Sequence, residues 1–225
     1  MYKSNIDIII ISLAKNDKLK KLTEKAIETC RNSDIDLKFN IIVVESNNDC
    51  KPYEFADKTI YYHKEKTNNG FEFIYNHAVN IGLKYCPSDY ICICNNDIEF
   101  TDHWTDKLIT KMELYKCEVG SPYNPLWKWH KQFNGSSVIM GYVKGCFAGW
   151  CFMIKKTVLD KICGKLDESS DLWFSDDNFV KQLQEAGINH ILVPNSKVLH
   201  KGSETLKTLT QAQMDEITKN PQYRK

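Results

Sequence analysis

Net charge is almost absent from this chain: 30 Lys and Arg stand against 29 Asp and Glu over 225 residues, leaving +1. That removes the basic footprint expected of a protein that binds duplex nucleic acid. Long apolar runs are absent too. The apolar stretch Ile8 to Ile11, within Met1 to Leu13, is far too short to span a bilayer. It also lacks a basic leader and a small-residue cleavage site. No other segment approaches spanning length, so a soluble, cytoplasmic protein is expected. Cysteine pairing is missing as well. The nine cysteines are odd in number and scattered, with Cys92 and Cys94 inside one apolar run and Cys146 and Cys151 flanking another. They read as small hydrophobes in a reducing compartment rather than a disulfide framework. No second Cys or His pair follows Cys92 and Cys94 at finger spacing, which speaks against zinc. Repeats, low-complexity blocks and linkers are lacking, and the length suits one α/β domain with a sizeable core.

What is present alternates. Ile6 to Ser12 and Phe39 to Glu45 are short runs rich in β-branched residues, each ending in polar residues. Between them, Asp17 to Cys30 sets Leu19, Leu22, Ala26 and Ile27 at helical spacing. That is strand, helix, strand, and crossover handedness makes the strands parallel. A short strand is expected at Ile60 to His63, a helix over Phe71 to Tyr85 and a central strand at Tyr90 to Cys94. Continuous apolar runs of this kind belong to sheets covered on both faces. A helix over Thr105 to Tyr115 leads into a Pro/Trp/Asn-rich stretch, Gly120 to Asn134. A strand is expected at Phe147 to Ile154, then helices at Lys156 to Ile162 and Asn178 to Ala186, the second ended by Gly187. Ile191 to Val193 and Lys197 to Leu199 read as two short strands, and Thr208 to Thr218 as a polar terminal helix.

The end of the central strand carries the chemistry. Tyr90-Ile91-Cys92-Ile93-Cys94 gives way abruptly to Asn95-Asn96-Asp97. Ligands of an open parallel sheet bind beyond the carboxyl ends of its strands, and Ser12, Glu45, Asn47 and Asp97 all fall at such ends. Asp97 is the expected metal ligand. Oxygen ligands suit Mn²⁺ or Mg²⁺, which then bridges to phosphate oxygens rather than sitting in an all-protein cage. The site therefore asks for a diphosphate, and a nucleotide-sugar is the commonest one handled this way. Asn95 or Asn96 would hold phosphate or ribose, and Glu45 would accept hydrogen bonds from ribose hydroxyls or a base N–H. Any one of these residues alone fits an ordinary polar strand terminus; their convergence on one crevice is what points to a site.

Asn69-Gly70-Phe71, Asn80-Ile81-Gly82 and Asn95-Asn96-Asp97 follow one another at a spacing that resembles the inverting GT-A glycosyltransferases of the family 2 type. Val43-Val44-Glu45-Ser46-Asn47-Asn48-Asp49 is similar to that family's Val-Val-Asp-Asn-Gly-Ser-Thr-Asp loop. Gly149-Trp150-Cys151-Phe152-Met153-Ile154-Lys155-Lys156 and Gly164-Lys165-Leu166-Asp167-Glu168 resemble its Gly-x-x-x-x-Ile-Arg-Arg and Gly-Gly-Phe-Asp-Glu. Ser175-Asp176-Asp177 stands where the family has Glu-Asp, and Val193-Pro194 and Val198-Leu199-His200-Lys201-Gly202 resemble its closing motifs. The resemblance covers residues 6 to 204; Asn95 in place of an Asp is a departure.

The resemblance implies a GT-A (nucleotide-diphospho-sugar transferase) α/β/α sandwich with a mixed central sheet, as a single domain over 1–225. Residues 1–100 would bind the nucleotide-sugar, 101–204 the acceptor, and 205–225 would form a helical tail. It implies metal-dependent inverting transfer from a nucleotide-diphosphate sugar, foremost a UDP-sugar, to a hydroxyl of a glycan, glycoprotein or small molecule. Asp97 and His200 would hold Mn²⁺ or Mg²⁺, and Lys201 would aid the diphosphate. Asp176 is the expected base, with Asp177 the runner-up; acids at a helix start also complement its dipole and cap it. Asn69, Gly70, Ser12, Glu45, Asn47, Asn95 and Asn96 would contact the donor. Gly149 and Trp150 would face the acceptor. Trp127, Trp129 and Trp150 fit sugar stacking or core packing equally, with Trp150 the better placed. His63, His77, His103, His130 and His190 show no ligand spacing and read as structural. The alternatives are a nucleotidyltransferase, although Ser12-Leu13-Ala14-Lys15-Asn16 holds no glycine, and a non-catalytic carbohydrate-binding relic, which has no need of Asp176.

Overall fold

The computed structural model describes residues 5–62, 74–142, 145–170, 175–202, 204 and 207. The first half runs β1 (Ile6–Ser12), α1 (Asp17–Ser33), β2 (Phe39–Glu45), β3 (Lys58–Tyr61), α2 (Tyr75–Leu83), β4 (Tyr90–Asn95) and β5 (Ile98–Phe100). The second runs α3 (Trp104–Leu114), β6 (Val119–Tyr123), β7 (Ile139–Met140), β8 (Cys151–Lys155), α4 (Thr157–Lys161), α5 (Ser175–Glu185) and β9 (His190–His200). The strands form one sheet in the order β3-β2-β1-β4-β8-β6-β9-β5, with β7 on β9. The first four are parallel, and β8 enters antiparallel to β4. This is the expected mixed sheet of an α/β/α sandwich.

Period-two alternation splits each strand between two cores. Ile6, Ile8 and Ile10 pack with Ala26 and Ile27 of α1 and Trp104, Leu108 and Met112 of α3. Ile9 and Ile11 pack on the other face with Ala78 and Val79 of α2 and Phe179 and Leu183 of α5. A strand apolar at every position is stable only with such double cover. Helix α1 begins where Asn16 caps it, the carboxamide oxygen accepting from the Leu19 N–H at 3.0 Å. Helix α2 lies close on β1 because Gly82 has no side chain: a Cβ there would meet Ile9 Cγ2 at 2.8 Å.

Several expected boundaries move. The third strand is Lys58–Tyr61 rather than Ile60 to His63, and His63 lies outside the described residues, as do Phe71 and the Thr208 to Thr218 helix. Helix α2 is described from Tyr75. The expected strand at Phe147 starts only at Cys151, after a turn at Gly149-Trp150. The opening of the Gly120 to Asn134 stretch is a buried strand, β6, and the two short strands near the C-terminus are one, β9. Pro194 cannot donate to a ladder, and the pairing slips there: Pro122 faces Val193 while Tyr123 faces Lys197. The slip lets β9 leave β6 and pair its last residues with β5.

All nine cysteines are free and eight are buried, as a small-hydrophobe reading requires. Burial pushes the thiols of Cys30, Cys92 and Cys94 well up. Among the described residues, no helix is long and apolar enough to cross a membrane.

Two core histidines set an acid limit on stability. Burial lowers His190 to about 3 and His130 to about 4. In the unfolded chain each would take a proton below about 6.5. The unfolded state then binds more protons than the native one, so stability is full above that pH and falls on acidification. The expected loss is about 1.4 kcal/mol per pH unit per histidine, from about 6.5 down towards 4. Urea denaturation near pH 7 and near pH 5 measures it, and an unchanged midpoint would contradict neutral core imidazoles.

Candidate active site

The strand pairing brings the polar termini to one edge: Ser12 is opposite Glu45, and Ile11 is opposite Asn95. Glu45 is fully buried, its Oε1 accepting from the N–H groups of Ala14 (2.9 Å) and Asn47 (2.8 Å) and its Oε2 from the Tyr53 hydroxyl (2.7 Å). Ser12 is equally buried, with its hydroxyl 2.8 Å from Thr23 Oγ1 and 3.2 Å from the Tyr53 hydroxyl. Both side chains thus brace the loops at that edge. Asn96 also turns inward, donating to Thr23 Oγ1 at 3.1 Å, while Asn95 is half-buried. Asn47 is half-buried and ties the two loops together by donating to the Ala14 carbonyl at 2.7 Å. Thr23 and Tyr53 were not singled out from the sequence. The only signal for Thr23 was a small polar residue on the stripe Leu19, Ala26, Ile27 that α1 buries.

Asp97 and His200 meet through β5 and β9. Ile98, directly after Asp97, pairs with His200, and the Lys201 N–H reaches the Asp97 carbonyl at 3.4 Å. Asp97 Oδ1 and His200 Nε2 lie 3.1 Å apart. Both atoms are buried, yet neither makes a hydrogen bond: they face each other out of hydrogen-bond alignment. A buried carboxylate oxygen without a hydrogen bond costs about 1–3 kcal/mol, and among the described residues the one group facing it is the His200 ring, which answers it as an ion pair when protonated. Among the described residues, no three His, Cys, Asp or Glu side chains gather to hold a metal by themselves. Lys201 is engaged by Glu99 Oε1 at 2.5 Å.

The Trp150 ring stacks on His200, with centroids 5.2 Å apart and planes at 20°. Trp127 meets Trp150 edge-on at 6.0 Å, and His130 sits between them and Tyr123. Trp127 is thus part of the packing, whereas Trp129 is exposed. The indole N–H of Trp150 is buried without a hydrogen bond. Directly before it, the Gly149 N–H donates to Asp176 Oδ2 at 3.3 Å, and a Cβ on Gly149 would stand 2.5 Å from Asp176 Cβ. Only glycine lets the first turn of α5 come this close. Asp176, Gly149, Trp150, His200 and Asp97 therefore form one chain of contacts. Asp177 is the more exposed of the two acids. Desolvation first, and the Asp176 carboxylate second, raise its pKa. Asn76 and Asn80 fasten this region from below: Asn76 donates to the carbonyls of Asp167 and Ser175, and Asn80 binds the backbone of Leu166 on both sides. His77 pairs with Glu168 at 2.7 Å, in keeping with a structural role. Asn69 and Gly70 lie outside the described residues.

A family model described as glycosyl transferase family 2 matches residues 7–163. The chain belongs to that family. No curated protein matches it. Membership makes it a glycosyltransferase, with a nucleotide-sugar donor and an acceptor, and answers the nucleotidyltransferase and binding-relic alternatives. Members commonly use a divalent metal. The match ends before Asp176 and His200, so their roles in this glycosyltransferase rest on geometry.

Proposed function

We propose that this glycosyltransferase is metal-dependent and inverting, and that it moves a sugar from a nucleotide-diphosphate sugar, foremost a UDP-sugar, to an acceptor hydroxyl. The observation that carries this reading is the unbonded contact between Asp97 Oδ1 and His200 Nε2 at 3.1 Å. Neighbouring ligands of an octahedral ion with bonds of about 2.1 Å stand roughly 3 Å apart, so the two atoms fit one cation. Two protein ligands with the rest supplied by phosphate is the usual economy of such sites. The imidazole tips the choice from Mg²⁺ towards Mn²⁺. When bound, the ion neutralises charge on the departing diphosphate.

The remaining work falls to side chains. Asp176 receives the acceptor hydroxyl proton as the oxygen bonds to the anomeric carbon. The bond to the diphosphate breaks on the opposite face, and its electron pair leaves with the phosphate. The Gly149 N–H orients the Asp176 carboxylate, and the buried Trp150, stacked on His200, backs the acceptor side of the site. Asn95, half-buried at the edge, faces the donor, and Asn47 steadies the loop beside it by binding the Ala14 carbonyl and the Asp49 N–H. Lys201 would exchange Glu99 for phosphate. The single sheet shared by both halves supports one domain over 1–225, and the free thiols support a cytoplasmic setting.

A panel of nucleotide-sugars tested for thermal stabilisation with Mn²⁺, with Mg²⁺ and with chelator checks the reading. A UDP-sugar with Mn²⁺ should stabilise most, by about 2.7 kcal/mol at a hundredfold excess over Kd. Equal stabilisation in chelator would rule out metal dependence, and none by any nucleotide-sugar would rule out the site.

A further inference from the structure

Asp97 is the group on which the proposed metal site turns, yet its carboxylate receives no protein hydrogen bond. Its position must come from the turn that carries it. Residues 96 and 97 form that turn between β4 and β5; among the described residues the Asp97 carboxylate faces only His200, whereas the Asn96 side chain is hydrogen-bonded back to α1. The tie runs far. Asn96 Nδ2 donates to Thr23 Oγ1 (3.1 Å), Thr23 Oγ1 meets Ser12 Oγ (2.8 Å), Ser12 Oγ meets the Tyr53 hydroxyl (3.2 Å), and that hydroxyl donates to Glu45 Oε2 (2.7 Å).

The two ends dictate every proton between them. The Asn96 NH2 group can only donate and a carboxylate accepts, so Tyr53 directs its proton to Glu45 and takes one from Ser12. Ser12, with one proton, must then receive from Thr23. The competing acceptor for Thr23, the Leu19 carbonyl, is farther away at 3.4 Å. Four hydrogen bonds thus run in one sense, from the Asn96 amide to the Glu45 carboxylate, and each polarises the next. The Glu45 end also grips the N–H groups of Ala14 and Asn47, in the loops after β1 and β2.

We propose that Thr23, on a helix and outside every motif read from the sequence, is a positioning residue for the metal site. Its hydroxyl is the joint through which the buried chain from Glu45 holds the Asn96-Asp97 turn. The β1 and β2 loops and the turn bearing Asp97 are thereby set as one unit, and the aim of Asp97 depends on a side chain on the far side of the strand ends. This rests on the reading of Asp97 and His200 as cation ligands.

The test is Mn²⁺ titration of the full chain, followed by electron paramagnetic resonance, with UDP present and with GDP in parallel. Thr23→Val keeps the shape and removes the hydroxyl. It should weaken Mn²⁺ binding by about tenfold or more, as loss of a ligand-orienting partner does, and Thr23→Ser should return it to within about threefold of wild type. Tyr53→Phe breaks the chain at its distant end and should weaken Mn²⁺ in the same direction by less. It also decides the matter should Thr23→Val not fold. Wild-type Mn²⁺ affinity in Tyr53→Phe and in folded Thr23→Val overturns the positioning role alone. Absence of saturable Mn²⁺ binding by the wild-type chain overturns the metal site itself, and the inference with it.

Discussion

Asp176→Asn is expected to cut turnover by about 10²-fold or more while donor affinity stays near wild type. The substitution keeps shape and hydrogen bonding, so the Gly149 N–H still finds an oxygen, but the amide cannot accept the acceptor's proton. Donor affinity is spared because Asp176 packs against Gly149, beside Trp150, on the side proposed for the acceptor. Asp177→Asn should do much less, acting through the helix start. Steady-state kinetics on the pair separate them: if Asp177→Asn abolishes turnover and Asp176→Asn does not, the roles exchange, and if neither matters the mechanism fails. Gly149→Ala supplies an independent check without touching a charge. Its methyl would intrude to 2.5 Å of Asp176 Cβ, so it should displace the carboxylate and lower turnover ahead of donor binding.

Asp97→Ala is expected to abolish Mn²⁺-dependent binding of the nucleoside diphosphate, read by calorimetry. Its effect on stability should run the other way from an ordinary buried substitution. Without metal, the Asp97 oxygen facing His200 is buried and unbonded, a state that itself costs about 1–3 kcal/mol. Removing it should leave the metal-free melting temperature near wild type or slightly above, the usual trade of stability for a functional site. Undiminished affinity would rule out Asp97 as a ligand. A large fall in metal-free stability would mean that the carboxylate serves the fold rather than an ion.

Much of the architecture was legible in the chain because the physics is local. β1 and β2 begin and end where the β-branched runs do, and α1 begins at Asp17 as its apolar spacing predicts. The sandwich follows from strands apolar at every position, which demand helices on both faces. The shortest strands were not legible: β5 and β7, of three and two residues, are too short to show a period. β6, read as part of a Pro/Trp/Asn-rich loop, is a strand because the sheet buries it.

The same division runs through the site. Residue types at strand ends, and the order of the motifs, were enough to nominate Asp97, Asp176 and His200. Which polar residues face a ligand was beyond them, since Glu45 and Ser12 look identical in sequence whether they bind a ribose or brace a loop. Only the packed structure shows their oxygens taken by Tyr53, Thr23 and two backbone N–H groups. Asp97 and His200 are separated by most of the second half of the chain, and no local preference brings them together. A three-residue strand after one and a slipped register before the other do so, because β9 must leave β6 at Pro194 to pair with β5. The sequence by itself determined which groups could do the chemistry; the sheet's long-range pairing decided which of them meet.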